Sequence, residues 1–188
     1  MEHVRGYLDD LQAALAALDA AAVRQVRDLV AEARDRGAQI FLCGNGGSAA
    51  TASHMTNDLG KGASYGRAAA RRFRVVSLAD NVPWLTALAN DVSYEAIFAE
   101  QLENLGQPGD LLIAISGSGN SPNVLRAVEV ARRKGMKSVG LTGFDGGKLA
   151  GAADLAIVAA SHHMGRVEDI HTVILHAVCY YFMEEEHP

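Results

Sequence analysis

Five short apolar runs recur along this chain: 38–43 (AQIFLC), 73–78 (FRVVSL), 111–116 (LLIAIS), 137–143 (KSVGLTG) and 154–159 (DLAIVA). Helical patterns at 48–59, 82–89, 94–104, 121–134 and from about 166 to 184 lie between and after them. A strand that is apolar throughout must be covered on both faces, and helical connections make neighbouring strands parallel. Right-handed crossovers then produce a doubly wound α/β sandwich around a parallel five-stranded sheet.

Residues 1–36 precede this alternation. Tyr7, Leu8, Leu11, Leu15 and Leu18 recur at helical spacing, as do Val23, Val26, Val30 and Ala33. Asp19 is suited to cap the second half, and Gly37 to stop it. These helices read as an N-terminal extension that serves oligomerisation, with 37–188 forming the sandwich of a single domain. A chain of 188 residues has enough length for one substantial core. Its net charge of −5 gives no bulk electrostatic case for nucleic acid. No apolar run approaches a membrane span, and the start MEHVRGYLDD lacks the apolar core of a signal peptide. Cys43 and Cys179 both sit in apolar surroundings, so buried thiols fit better than a disulfide. That usage points to the cytoplasm.

In doubly wound sheets, ligands bind beyond the carboxyl ends of the strands. Two strands here end in Gly-rich polar turns that lead into helices. The first is Gly44, Asn45, Gly46, Gly47, Ser48; the second is Ser116, Gly117, Ser118, Gly119, Asn120, Ser121. Glycines let backbone N–H groups approach an anion, the helix N-terminus favours negative charge, and the serines add neutral donors. A phosphate monoester suits such a cradle. One loop alone would read as a tight strand-to-helix turn; two hydroxyl-bearing loops at strand ends favour binding. Neither fits the dinucleotide fingerprint or the P-loop, so no nucleotide cofactor is expected.

The pairing of CGNGGSA with ISGSGNSPNV resembles the SIS (sugar isomerase) domain family, over nearly the whole chain. The leading helices, ASHMTNDL, the LAND tetrapeptide and the closing VEDIHTVILH are similar to its phosphoheptose isomerase branch. The resemblance implies a flavodoxin-like fold. It implies conversion of sedoheptulose 7-phosphate to an aldoheptose 7-phosphate, in a homotetramer with active sites between subunits and a divalent metal, commonly zinc. It assigns sugar-phosphate contacts to Asn45, Gly46, Gly47 and Ser48. Ser116, Gly117, Ser118 and Ser121 would cradle the phosphate, and Asn90 and Asp91 would bind sugar hydroxyls. His54, Asp58, Glu168 and His176 occupy the metal and acid–base positions, with Glu168 counted also among the substrate contacts. Four positions depart from the family pattern: Asp58 replaces a Glu, Glu168 a Gln, Gly165 an Asp, and Gly117 a Thr.

Exchange of a carbonyl between adjacent carbons moves a proton through an enediol, which needs a base over the carbons and an acid at the oxygens. His54 and Asp58 are four residues apart and share one helical face. Taken alone the two are an ordinary helix-surface pair, and His176 is a histidine on an apolar helix. Beside a phosphate loop they make a candidate metal and acid–base set, suited to zinc, with manganese or iron as alternatives. Glu168 and His176 are eight residues apart, about 12 Å along a regular helix, too far to share one metal. Either Glu168 precedes the regular helix or one ligand comes from a neighbouring subunit. Asp58 is one methylene shorter than Glu, so Asp58 is the first candidate for the base and Glu168 the second.

Rival readings are an isomerase of another sugar phosphate, and a non-catalytic SIS protein such as the replication-initiator-associating type. Arg67, Arg71, Arg72 and Arg74 read as a solvated basic cluster, and Lys61 as a loop lysine. His162 and His163 fall in the loop before the last helix. Trp84 and Tyr94 read as core or interface aromatics rather than recognition groups.

Overall fold

The computed structural model describes residues 2–66 and 71–185. Two helices open the chain, α1 (Glu2–Ala16) and α2 (Ala20–Arg36). Asp19 caps α2, its carboxylate accepting from the Ala21 and Ala22 N–H groups. The helix stops at Gly37, whose N–H donates to the carbonyls of Ala33 and Arg34. There follow β1 (Gln39–Cys43), α3 (Gly47–Asn57), β2 (Arg74–Ser77), α4 (Val82–Asp91), α5 (Ala99–Leu105) and β3 (Leu111–Ile115). The chain closes with α6 (Pro122–Arg133), β4 (Lys137–Thr142), α7 (Gly147–Ala152), β5 (Leu155–Val158) and α8 (Met164–Tyr180).

The sheet is five-stranded and parallel throughout, in the order β2-β1-β3-β4-β5. The chain adds β2 on one side of β1 and β3, β4 and β5 on the other, which makes the mouth between β1 and β3 the switch point where such sheets bind ligands. Alternate residues feed two cores. Ile40, Leu42, Leu111, Ile113, Val139 and Leu141 pack with α2, α3 and α8; Phe41, Cys43, Leu112 and Ala114 pack with α5, α6 and Leu149 of α7. This is the two-sided burial that apolar strands require.

Several expected features take a different form. The helical stretch from 48 loses its α-helical bonding at Asn57, and Asp58–Gly62 form one π-helical turn, with Ala63 N–H reaching the Asp58 carbonyl. The stretch 94–104 divides into a 3₁₀ turn, Tyr94–Ala96, and α5. The connection between the fourth and fifth strands, for which the sequence offered no element, contains α7, a six-residue helix that buried Leu149 holds to the sheet. The leading helices behave differently from each other. Val26, Val30 and Ala33 of α2 are fully buried in the core, whereas Val4 and Leu8 of α1 are exposed.

Both cysteines are free and buried. Burial pushes the Cys43 thiol up to about 12 and raises that of Cys179 as well. Arg71, Arg72 and Arg74 are exposed, and Arg67 lies outside the described residues. His162 and His163 precede α8. No helix among the described residues is long and apolar enough to cross a membrane.

Candidate active site

The two Gly-rich loops meet over the carboxyl ends of β1 and β3 and line one cavity of about 260 Å³. Its walls include Asn45, Gly46, Gly47 and Ser48 from the first loop and Ser116, Gly117, Ser118 and Ser121 from the second, with Met164 and Glu168 from α8. The backbone N–H groups of Gly47, Ser48, Gly117 and Ser118 meet no acceptor among the described residues. They are the open donors expected at a helix start and a tight turn, the chemistry an anion requires. The hydroxyls are held in place: Ser116 Oγ donates to Ser121 Oγ at 3.0 Å, and Ser118 Oγ accepts from Asn120 N–H at 3.2 Å.

Two glycines admit the α8 side chains. A Cβ on Gly47 would collide with the Glu168 carboxylate, and one on Gly117 with the Met164 sulfur. Met164 fills the space that a side chain at position 117 would need.

A second constellation lies between α3 and α8, with Asp58 buried beneath an exposed His54 and a part-buried His176. Small residues on α3, among them buried Ala52, let the two helices pack side by side. His54 and Asp58 extend from the end of α3, and His176 faces them from α8. His54 Nε2 lies 3.4 Å from Asp58 Oδ2 and 3.4 Å from His176 Nε2, and His176 Nε2 lies 3.8 Å from Asp58 Oδ2. Asp58 Oδ1 accepts from Asn57 Nδ2, but Asp58 Oδ2 is buried without a hydrogen bond. A lone carboxylate oxygen in that position is costly unless a cation or a proton meets it. In a tetrahedral site with bonds of about 2.0–2.1 Å, ligand atoms stand roughly 3.3–3.4 Å apart. Two of the three separations match that measure and the third, at 3.8 Å, is a few tenths of an ångström longer, so the residues fit a divalent metal.

Glu168 does not join them. Both Glu168 and His176 lie within the regular part of α8, so the possibility that Glu168 precedes the helix is removed, and its carboxylate faces the cavity between the loops. Asn90 and Asp91 sit exposed at the end of α4, bonded to one another (Asn90 Nδ2 to Asp91 Oδ1, 2.8 Å), and border neither constellation. Tyr94, expected in a core or interface, is exposed and its hydroxyl donates to Asn45 Oδ1 at 3.0 Å. Asn123, fully buried at the start of α6, bonds the Asn45 amide. Sequence reasoning passed over it: an Asn just inside a helix start reads as ordinary helix-end chemistry.

A parallel sheet with an anion cradle at its switch point, and a His–Asp–His cluster beside it, defines a sugar-phosphate-type α/β protein of the isomerase kind. A family model described as SIS domain matches residues 6–143. The chain belongs to the SIS domain family and, within it, to the phosphoheptose isomerases. A phosphoheptose isomerase of Roseiflexus is 40% identical over 154 residues, 82% of this chain and 77% of the relative. One from Paramagnetospirillum magneticum is 45% identical over 143 residues, 76% of this chain and 73% of its own. The solved phosphoheptose isomerase of Neisseria gonorrhoeae superposes with a TM-score of 0.88 at 30% identity, covering 96% of this chain and 97% of that one.

Proposed function

We propose that this isomerase interconverts sedoheptulose 7-phosphate and an aldoheptose 7-phosphate through an enediol, with the phosphate seated in the Ser116–Ser121 loop. The observation that carries the reading is the pairing of an anion cradle with a His–Asp–His cluster along the same two helices. Gly47, Ser48, Gly117 and Ser118 supply N–H groups to the phosphate oxygens, and Ser116, Ser118 and Ser121 add hydroxyls. Asn45 and Gly46 contact the sugar next to it. Asn90 and Asp91, remote from the cavity of their own chain, bind sugar hydroxyls from across a subunit boundary.

Asp58 takes the proton from the carbon next to the carbonyl and returns it to the neighbouring carbon. His176 serves the oxygens, whose protons must move in the opposite sense. His54, Asp58 and His176 would hold a divalent cation, zinc by the two-imidazole, one-carboxylate donor set. When bound, that ion supplies Lewis-acid polarisation of the substrate oxygens. In its own chain Glu168 stands beside the cradle, where it orients a sugar hydroxyl. The working assembly is a homotetramer and its compartment the cytoplasm.

The test is incubation of the protein, purified without chelator, with sedoheptulose 7-phosphate in D₂O. NMR should show an aldose product with deuterium at the exchanged carbon. Lack of conversion with zinc, manganese or iron supplied would overturn the isomerase reading in favour of a binding protein.

A further inference from the structure

The side chain of Asn45 stands between two cavities, the cradle and an apolar recess of about 220 Å³ walled by Leu85, Ala89, Ile97 and Phe98. An asparagine amide can present either a donor or an acceptor to a ligand, and the two choices are opposite in sign for an anionic oxygen. Here the choice is made by a residue that itself lines neither cavity. Asn45 Nδ2 donates to Asn123 Oδ1 at 2.9 Å, and Asn123 Nδ2 donates to Asn45 Oδ1 at 2.8 Å. The reciprocal pair would be equally good with both amides turned over, except for a third contact. Val124 N–H stands 3.0 Å from the same Asn123 oxygen. A backbone N–H can only donate, so the Asn123 atom facing it must be the carbonyl oxygen. That fixes the Asn123 amide, which in turn fixes Asn45.

The Tyr94 hydroxyl makes a second bond to Asn45 Oδ1, at 3.0 Å, so the oxygen is occupied twice. One hydrogen of Asn45 Nδ2 is the only polar group of its amide left for a ligand. Asn123 is 1% exposed, so its pairing with Asn45 takes place away from competing water.

We propose that Asn123, assisted by Tyr94, is a positioning residue that locks the Asn45 amide as an N–H donor toward the substrate and ties the two cradle loops together. It rests on the reading of Asn45 as a substrate contact. Without the lock, Asn45 presents its carbonyl oxygen for part of the time, which repels a phosphate or enediolate oxygen.

The experiment is a pair of double-mutant cycles on the intact assembly, read as sedoheptulose 7-phosphate affinity by calorimetry with thermal melts alongside. Asn45→Ala should weaken binding roughly tenfold, the loss of a hydrogen bond to a charged group. Asn123→Ala should do the same in the native background, yet change affinity less than about twofold when Asn45 is already Ala. Asn123→Asp keeps the size and the acceptor for Val124 N–H but sets an oxygen against Asn45 Oδ1; it should weaken binding at least as much as Asn123→Ala. Tyr94→Phe, at an exposed position that folding does not need, should cost roughly threefold, and nothing in the Asn45→Ala background. It decides the matter even if the Asn123 variants fail to fold. Equal losses with and without Asn45 would overturn the proposal, as would normal binding by Asn123→Asp. Unchanged binding by Asn45→Ala would instead remove the substrate contact on which it rests.

Discussion

Asp58 has one carboxylate oxygen with a neighbour to bond and one with none, and the unpaired oxygen is the one that faces two imidazoles. That asymmetry separates its two duties, with Oδ1 steadied by Asn57 and Oδ2 left for a cation or a proton. Asp58 sits where the α-helix gives way to a π turn, a feature often found at functional sites. Asp58→Asn is expected to lower turnover of sedoheptulose 7-phosphate by about 10²–10⁴-fold, while calorimetry still detects binding through the loops. Glu168→Gln, which keeps the size and the hydrogen-bonding oxygen of the side chain, should stay within tenfold of the parent rate. The reverse pattern, an active Asp58→Asn and an inactive Glu168→Gln, would move the base to Glu168.

At the scale of elements, α8 is the part that reaches everything. Its first turn carries Met164 and Glu168 to the cradle, and its middle carries His176 to the cluster. Three contacts set its position. Tyr7 donates to Asp169 Oδ2 at 2.5 Å, a bond that raises the tyrosine pKa. Arg166 pairs with Asp10 of α1 at 2.7 Å. Buried His171 bonds the Thr142 carbonyl at the end of β4 through Nε2, at 3.0 Å, leaving Nδ1 without a partner. Burial lowers the His171 pKa, partly offset by the Thr142 carbonyl. The unfolded chain therefore binds a proton at a pH where the folded chain does not. Stability should be unaffected by this group above the ordinary histidine value of about 6.5 and should fall as pH drops below it, by at most about 1.4 kcal/mol per pH unit. Urea titrations at pH 7.5 and 5.5 check this: the parent should lose more stability on acidification than His171→Gln. Equal losses would mean that His171 does not contribute to the pH dependence.

For the whole molecule, the monomer leaves one helix face unfinished. Val4 is 61% and Leu8 54% exposed, on an open groove of about 830 Å³ along α1. The groove is lined by Glu2, Val4, Arg5 and Leu8 of this one helix, so it reads as a surface to be covered. Together with Asn90 and Asp91, which border neither the cradle nor the His–Asp–His cluster, it fits an assembly in which neighbouring chains complete each other. Light scattering should show an oligomer for the parent and smaller species for Val4→Glu combined with Leu8→Glu. The same variant should lose isomerase activity while each chain keeps its helical circular dichroism. A monomeric parent would remove the shared site.

The five strands, the two cradle loops and the termini of α2 were legible in the sequence because each is encoded locally. An apolar run of five or six residues that ends in a Gly-rich turn reads as a buried strand, and Asp19 and Gly37 act on the backbone within a turn of themselves. Spacing also placed His54 and Asp58 on one face. What it left open was which distant helix they meet, because periodicity reports how much of a helix is buried and not against what. Only the packing of α8 on α3 brought His176 to them and turned Glu168 toward the cradle. Helix α7 was hidden because its stability comes from burying Leu149 and not from helix propensity. The donor face of Asn45 was decided last of all, by hydrogen bonds from residues 49 and 78 positions away, which no local pattern can carry.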